Sequence, residues 1–503
     1  MMKICLLASL FLLLLVTPVL AGDSAQFGQA WSRNMVSSEK GLCSDFDPET
    51  GRNVRWSAEL GSETHSTPVV GNGCVLVGTN NFTPRDPKHK GDRGVLMCFR
   101  ETDGELLWQL VVPKRDEDPY FDWPNSGISS TATIEGNRAY IVTNRGEVAC
   151  LDLKGMADGN DGPFVDEARH MTPADLEPLA VGPLDADILW LFNLTKGAGI
   201  WSHDAAHSSI LIDGDQLYLN TGTGVDNTHK RIRTPDAPSL VVLDKRTGKM
   251  LARDRSVPAT QIFHCTWSAP SLGAVDGERR LFFAGGNGIV YGYDLFRPGK
   301  DDTAEPGALN ERWKFDFDPA APKENVHFYN GNRQDSPSNI YGMPVFDNGM
   351  LYVAGGGDLW WGKNDAWLKC IDTVGSGDVT KTAEKWSYPL ERHVMATPAI
   401  SDGLIFISDT GKNLHCLDAT TGTLLWKHPT KGENWASPLI ADGKVYLASR
   451  GADLLIFAAA RKKKILAEIK LDSAVSATAV AANGVVYVAT MRRLYAVAKG
   501  EGK

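Results

Sequence analysis

Apolar and polar residues alternate in short bursts along most of the chain, and glycine-bearing turns cut the bursts to strand length. Residues 391–426, ERHVMATPAISDGLIFISDTGKNLHCLDATTGTLLW, show the pattern in full. MATPAI predicts a first strand, Asp402-Gly403 a turn, LIFISD a second strand, and Gly411-Lys412-Asn413 another turn. LHCLD predicts a third strand, residues 419–422 a third turn, and TLLW a fourth strand ending on an aromatic. Four short strands joined by such turns make one blade of a β-propeller. A single blade cannot bury both faces, so the unit must recur.

It does. ASPLIADGKVYLAS places Pro438 40 residues after Pro398, and SATAVAANGVVYVA places Thr478 in the proline slot 40 residues further on. The same frame starts near Ser66, Ser129, Ser208, Ser268 and Tyr341. Eight units predict an all-β, eight-bladed propeller. Residues 54–60 read as a fourth strand with no preceding three, and the last unit has three strands and no fourth. The N-terminal strand is therefore expected to complete the last blade and close the ring, leaving no exposed edge there. Residues 54–499 form the predicted ring, and residues 22–53, with little periodicity, an arm lying over it.

Residues 1–21 read as a signal peptide: Lys3, a mostly apolar run from Leu6 to Val16, then Val19-Leu20-Ala21 for cleavage. A periplasmic or secreted protein is expected. The apolar run is too short for a confident membrane span, and no second one follows. With a formal net charge of −9 and one short basic run, Arg461–Lys464, at a turn, nucleic-acid binding is disfavoured. Cys98, Cys150, Cys370 and Cys416 share one slot in four blades, too far apart to bridge, and read as small buried residues. Cys43, Cys74 and Cys265 remain, with no disulfide assignable among them.

At LDATTGTLLW, residues 417–426, the chain resembles the quinoprotein-type propeller repeat of pyrroloquinoline-quinone (PQQ) dehydrogenases and their non-catalytic relatives. Weaker copies are FRETDGELLW, residues 99–108, and LDKRTGKML, residues 243–251. The resemblance implies that the tryptophan of each copy packs between blades. The repeat is shared by alcohol dehydrogenases and by a scaffold lipoprotein of the outer-membrane β-barrel assembly machine. Catalytic members combine a vicinal disulfide, a calcium held by carboxylate and amide oxygens, and an Asp base. This chain has no adjacent cysteines, and neither the calcium ligands nor the base is assignable to numbered positions. Asp23 stands where a lipoprotein needs its lipid-bearing cysteine. The resemblance therefore implies a binding scaffold in the cell envelope, with a protein or small-molecule ligand. The alternative is a PQQ-dependent alcohol or sugar dehydrogenase, with PQQ and calcium as the implied cofactors and a divalent cation at the channel mouth.

Candidate chemistry gathers just before the first strand of several units, where the chain reaches the channel mouth. His65, His203, Asp204, His207, His264, Trp267, His393 and Trp435 are the candidate cofactor-binding residues. Imidazole is both a common transition-metal ligand and a base near neutral pH, and indoles stack planar ligands. Asn125, Asn339, Tyr341 and Asn434 occupy similar positions. Gly222-Thr-Gly224 and Gly355-Gly356-Gly357 lack a dinucleotide fingerprint and read as blade turns, and Trp360-Trp361 as a loop folded over the rim. Six long insertions, at 120–126, 154–187, 222–238, 297–312, 316–339 and 358–365, fall in the first five units; if they share a rim, function belongs on that side.

Overall fold

The computed structural model describes residues 22–115, 118–204, 207–299 and 305–500. The signal peptide falls outside the described residues. Among them, no helix is long and apolar enough to cross a membrane.

Eight antiparallel sheets form the ring. The first blade runs through Val69–Gly71, Cys74–Asn80, Arg93–Arg100 and Leu106–Pro113, in that order from the channel outward. The eighth contains Val480–Ala482, Val485–Ala489 and Arg493–Val497, and its outer strand is Val54–Glu59, with Val54 opposite Val497 and Glu59 opposite Arg493. The ring is thus closed by an N-terminal strand, as the pattern requires.

Tryptophans hold the blades to one another. Trp426 donates its indole N–H to Ala460 O at 2.9 Å, Trp108 to Leu153 O at 2.8 Å, and Trp386 to Ala419 O at 3.2 Å. Each carbonyl belongs to a turn of the next blade. The Thr-Gly pair of that turn now has a physical reason. Gly422 has φ 69°, and a Cβ there would lie 2.5 Å from the Trp386 ring, so only glycine fits both the turn and the indole. Cys98, Cys150, Cys370 and Cys416 lie opposite Trp108, Trp190, Trp386 and Trp426 on the outer strands, small residues in register with large ones. All seven described cysteines are free and buried.

Thr478 differs from its expected slot by one residue. Ser437 N bonds Thr478 Oγ1 just as Thr397 N bonds Ser437 Oγ, so Thr478 corresponds to Ser437 and Ala479 takes the proline position.

The N-terminal arm does not lie over the ring; it runs inside it. Innermost strands leave one edge of backbone groups unpaired, and residues 24–37 supply partners around the whole circle. Val70 N bonds Ser24 O, Ile134 N bonds Ala25 O, Leu272 N bonds Trp31 O, Phe346 N bonds Ser32 O and Ile440 N bonds Met35 O. Side chains complete the circuit: Trp31 Nε1 reaches Ile212 O, Asn34 pairs with Ile400, and Ser37 Oγ donates to Ala481 O. Arg33 is fully buried and spends its guanidinium on the carbonyls of Pro270, Phe27 and Ser209. Burial pushes its pKa down to about 9.

Because strands alternate in direction, connections into a first strand and those between second and third strands emerge on the same rim. Insertions 120–126, 222–238, 317–337 and 358–365 therefore gather there. Residues 154–187, and the described residues 295–299 and 305–310, leave from the other rim, joining third to fourth strands, so the insertions do not all share one side. Part of each covers the outer strand of the preceding blade: Asp185 bridges Gln109, and Gly307–Ala308 pairs with Met250–Arg253.

Candidate functional site at the channel mouth

The rim that gathers most insertions opens into a cavity of about 500 Å3. Phe27 of the threaded arm lies at its inner end, and Trp123, Trp267, Trp360, Trp361 and Trp435 form much of its wall.

Against one side sits a cluster of three histidines, all buried. His203 comes from the segment before the first strand of blade 3, and His264 from the same place in blade 4. Their backbones meet at Gly224, which bridges Cys265. A Cβ on Gly224 would lie 2.5 Å from His264 O and 2.6 Å from His203 Cβ, so this glycine lets the two histidine segments close up. His229 comes from the 222–238 insertion. Its backbone is left-handed, φ 55°, a conformation that costs a non-glycine residue about 1 kcal/mol or more. Asp226 enforces it: the Asp226 carbonyl accepts from His229 N, while its carboxylate accepts from Thr228 N and Arg231 Nε.

The ligand-capable ring nitrogens of His203, His229 and His264 all lie within 4.8 Å of one another. His203 Nε2 and His229 Nε2 are 3.0 Å apart. His264 Nδ1 is 2.8 Å from Asp358 Oδ2, which also accepts from the Tyr341 hydroxyl. Asp358 Oδ1 accepts from Trp360 N at 2.9 Å and Trp361 N at 2.6 Å, so both oxygens are committed. The other ring nitrogen, His264 Nε2, is buried without a hydrogen bond and faces Asp204 Oδ2 across 3.4 Å. Asp204 Oδ1, also without a hydrogen bond, is 3.7 Å from His203 Nε2. Asp204 is the second left-handed residue here, φ 59°.

Burial pushes the His203 pKa down to about 3 and lowers that of His229, leaving both rings neutral near pH 7. Burial works the same way on His264, but the carboxylate of Asp358, helped by Asp204, outweighs it and raises the imidazole well above its ordinary value. Burial would raise Asp358; His264 and the Tyr341 hydroxyl bring it down to about 2.

Of the eight residues singled out from sequence, the structure brings His203, Asp204 and His264 together, with His207 and Trp267 alongside, their rings 4.3 Å apart. His65 and Trp435 lie on another part of the cavity wall, stacked at 5.9 Å, with the Arg450 guanidinium over the Trp435 ring. His393 does not reach the cavity. Its Nε2 bonds Lys363 O at 2.8 Å and supports the 358–365 loop from behind. Sequence reasoning missed His229 and Asp358, which come from connections between second and third strands rather than from segments leading into a blade. Trp360 and Trp361, expected in a loop folded over the rim, also face the cavity.

The cofactors implied by the resemblance do not fit. Calcium takes six to eight oxygens, whereas the carboxylates lining the cavity are those of Glu63 and Asp204, and Asp358 is saturated. PQQ carries three carboxylates, and the cavity lining offers one permanent cation, Arg450.

The family described as outer membrane protein assembly factor BamB matches residues 24–158 and 372–503, just over half of the sequence. The chain belongs to this family. Curated proteins give no match. Among solved structures, BamB from Moraxella catarrhalis is 12% identical with a TM-score of 0.49, covering 89% of this chain and 97% of its own. The computationally designed Ika8 protein is 10% identical with a TM-score of 0.50, covering 88% and 99%. The quinohemoprotein alcohol dehydrogenase ADHIIG from Pseudomonas putida HK5 is 13% identical with a TM-score of 0.49, covering 87% and 76%. At such identities the likeness concerns the fold. The BamB-family match stops at residue 158 and resumes at 372, and His203, Asp204, His229, His264 and Asp358 all fall between.

Proposed function

We propose that this BamB-family propeller is an exported binding protein of the cell envelope that captures a small flat molecule in the channel mouth. One observation carries the reading: a cavity of about 500 Å3, walled by five tryptophans and with the N-terminal arm at its inner end. That volume lies within the range of small-molecule sites, which are mostly apolar with a few placed polar groups. Indole faces take up planar ligands by offset stacking. Here the polar groups include Glu63, Asp204, Arg450, the imidazoles of His65, His207 and His229, and a set of serine and threonine hydroxyls. Export rests on the signal-like residues 1–21.

The quinoprotein dehydrogenase reading has less support, since the donor set suits neither calcium nor a tricarboxylate. The test uses mature protein titrated with quinoline and with PQQ, followed by tryptophan fluorescence and by crystals soaked with each. Quinoline held between cavity indoles, and weakened binding in Trp267→Ala, supports the reading. No binding of any planar probe at the mouth, or quinone-dependent turnover of an alcohol or sugar, overturns it.

A further inference from the structure

We propose that His203, His229 and His264, with the carboxylate of Asp204, bind one divalent first-row transition-metal ion at the edge of the channel-mouth cavity. The donor set is three imidazole nitrogens and one carboxylate oxygen. Such a set suits zinc, copper, nickel or cobalt, whereas calcium and magnesium prefer all-oxygen sites.

The spacing is close to what a metal requires. Two Nε2 atoms bound to one tetrahedral zinc at about 2.0–2.1 Å would sit about 3.3 Å apart; those of His203 and His229 are 3.0 Å apart. The third histidine is oriented as metal-bound histidines generally are. Asp358 engages the Nδ1 side of His264 and leaves Nε2 facing the cluster, the arrangement in which an outer carboxylate fixes the tautomer of a ligand.

Unsatisfied atoms point to the same place. Buried polar atoms are nearly always hydrogen-bonded, and leaving one orphaned costs about 1–3 kcal/mol. His264 Nε2 and Asp204 Oδ1 are both orphaned, and the 3.4 Å between His264 Nε2 and Asp204 Oδ2 is too long for a good hydrogen bond. A cation among these atoms satisfies all of them. Two of the donor residues, Asp204 and His229, also adopt left-handed backbone, so the fold bears strain to place them.

A second group, Asp86, His89 and Asp185, has comparable spacing. Both ring nitrogens of His89 are likewise without a hydrogen bond, but the Lys88 ammonium bonds Asp185 Oδ2 at 2.5 Å and lies 3.5 Å from Asp86 Oδ2, so a cation already sits on both carboxylates and the group serves as the internal control.

Asp204 and His229 also line the cavity, so the ion would border the ligand space and could take a donor atom of a bound molecule. This last point rests on the binding reading above; the metal site itself does not.

The experiment uses mature protein stripped with a chelator and titrated with Zn2+, with metal content measured by mass spectrometry after dialysis. Co2+ loading reports the coordination number by visible absorption. The expected result is one zinc per chain, undisturbed by excess calcium, and four- or five-coordinate cobalt bands. His229→Ala lies on an insertion and should leave the unfolding midpoint of the stripped protein in place while weakening zinc at least about 100-fold. His89→Ala should leave zinc binding unchanged. Zinc content no higher than in His229→Ala, six-coordinate cobalt, or loss of zinc on His89→Ala would overturn the proposal. Failure of quinoline to bind would leave it standing, and failure of zinc to bind would leave the ligand reading standing.

Discussion

Two buried histidine–aspartate pairs sit in different parts of the ring and are treated differently by the fold. In blade 6, inside the family-matched region, His415 bonds Asp409 Oδ2 through Nε2 at 2.9 Å and the Tyr388 hydroxyl through Nδ1 at 3.0 Å. Asp409 also accepts from the backbone of Glu391 and Asn413. Both ring nitrogens have partners. At the mouth, in the unmatched segment, His264 bonds Asp358 through Nδ1 but has no hydrogen bond at Nε2. The first pair is a closed structural joint. The second has a vacant position directed at two other imidazoles and a carboxylate. Residue type and burial are the same in the two, so what separates a joint from a candidate site is the satisfaction of the last polar atom.

The comparison breaks most visibly at the joint. Asp409→Ala orphans His415 Nε2 and two backbone N–H groups, and should cost about 3 kcal/mol in chemical denaturation. Zinc content should not change; if it does, blade 6 is not merely structural.

Asp358→Asn sharpens the other half. The amide keeps the size of the side chain and one acceptor but loses the charge that orients His264. Zinc affinity should fall about 10–100-fold in a chelator competition assay. An unchanged affinity would mean that the Asp358–His264 bond serves folding alone.

Acid tests the support behind the loop that carries Asp358. Lys363 anchors one end of that loop, its ammonium buried against Asp318 Oδ2 at 2.5 Å, with Ser338 Oγ at 2.6 Å. Burial raises the Asp318 pKa, but Lys363 and Ser338 outweigh it and leave the pKa below its ordinary value. A depressed carboxylate contributes stability that is fully present above the unfolded pKa of about 3.9 and fades as pH drops below it. Denaturation midpoints should therefore fall below about pH 4, and Asp318→Asn should remove part of that dependence.

The smallest expected effect concerns Trp435, whose ring stacks on His65 and is not one of the proposed metal donors. Trp435→Ala removes one stacking face of the cavity, and should weaken quinoline by about 1 kcal/mol with no change in zinc.

The ring was legible because turns and alternation repeat about every 40 residues and because Thr421-Gly422-x-x-x-Trp426, with its weaker copies, marks a docking turn. His203, Asp204 and His264 were legible because they precede first strands. His229 and Asp358 were not: they meet their partners 26 and 94 residues away in sequence, from insertions whose length carries no periodic signal. The arm was misplaced for a related reason. Its backbone pairs with strand edges, and edge pairing needs no side-chain pattern.

The most direct measurement is anomalous diffraction at the zinc absorption edge from crystals of zinc-loaded mature protein. One strong peak is expected, about 2.1 Å from ring nitrogens of His203, His229 and His264. A map without a peak there, with His203 and His229 still hydrogen-bonded to each other, would contradict it.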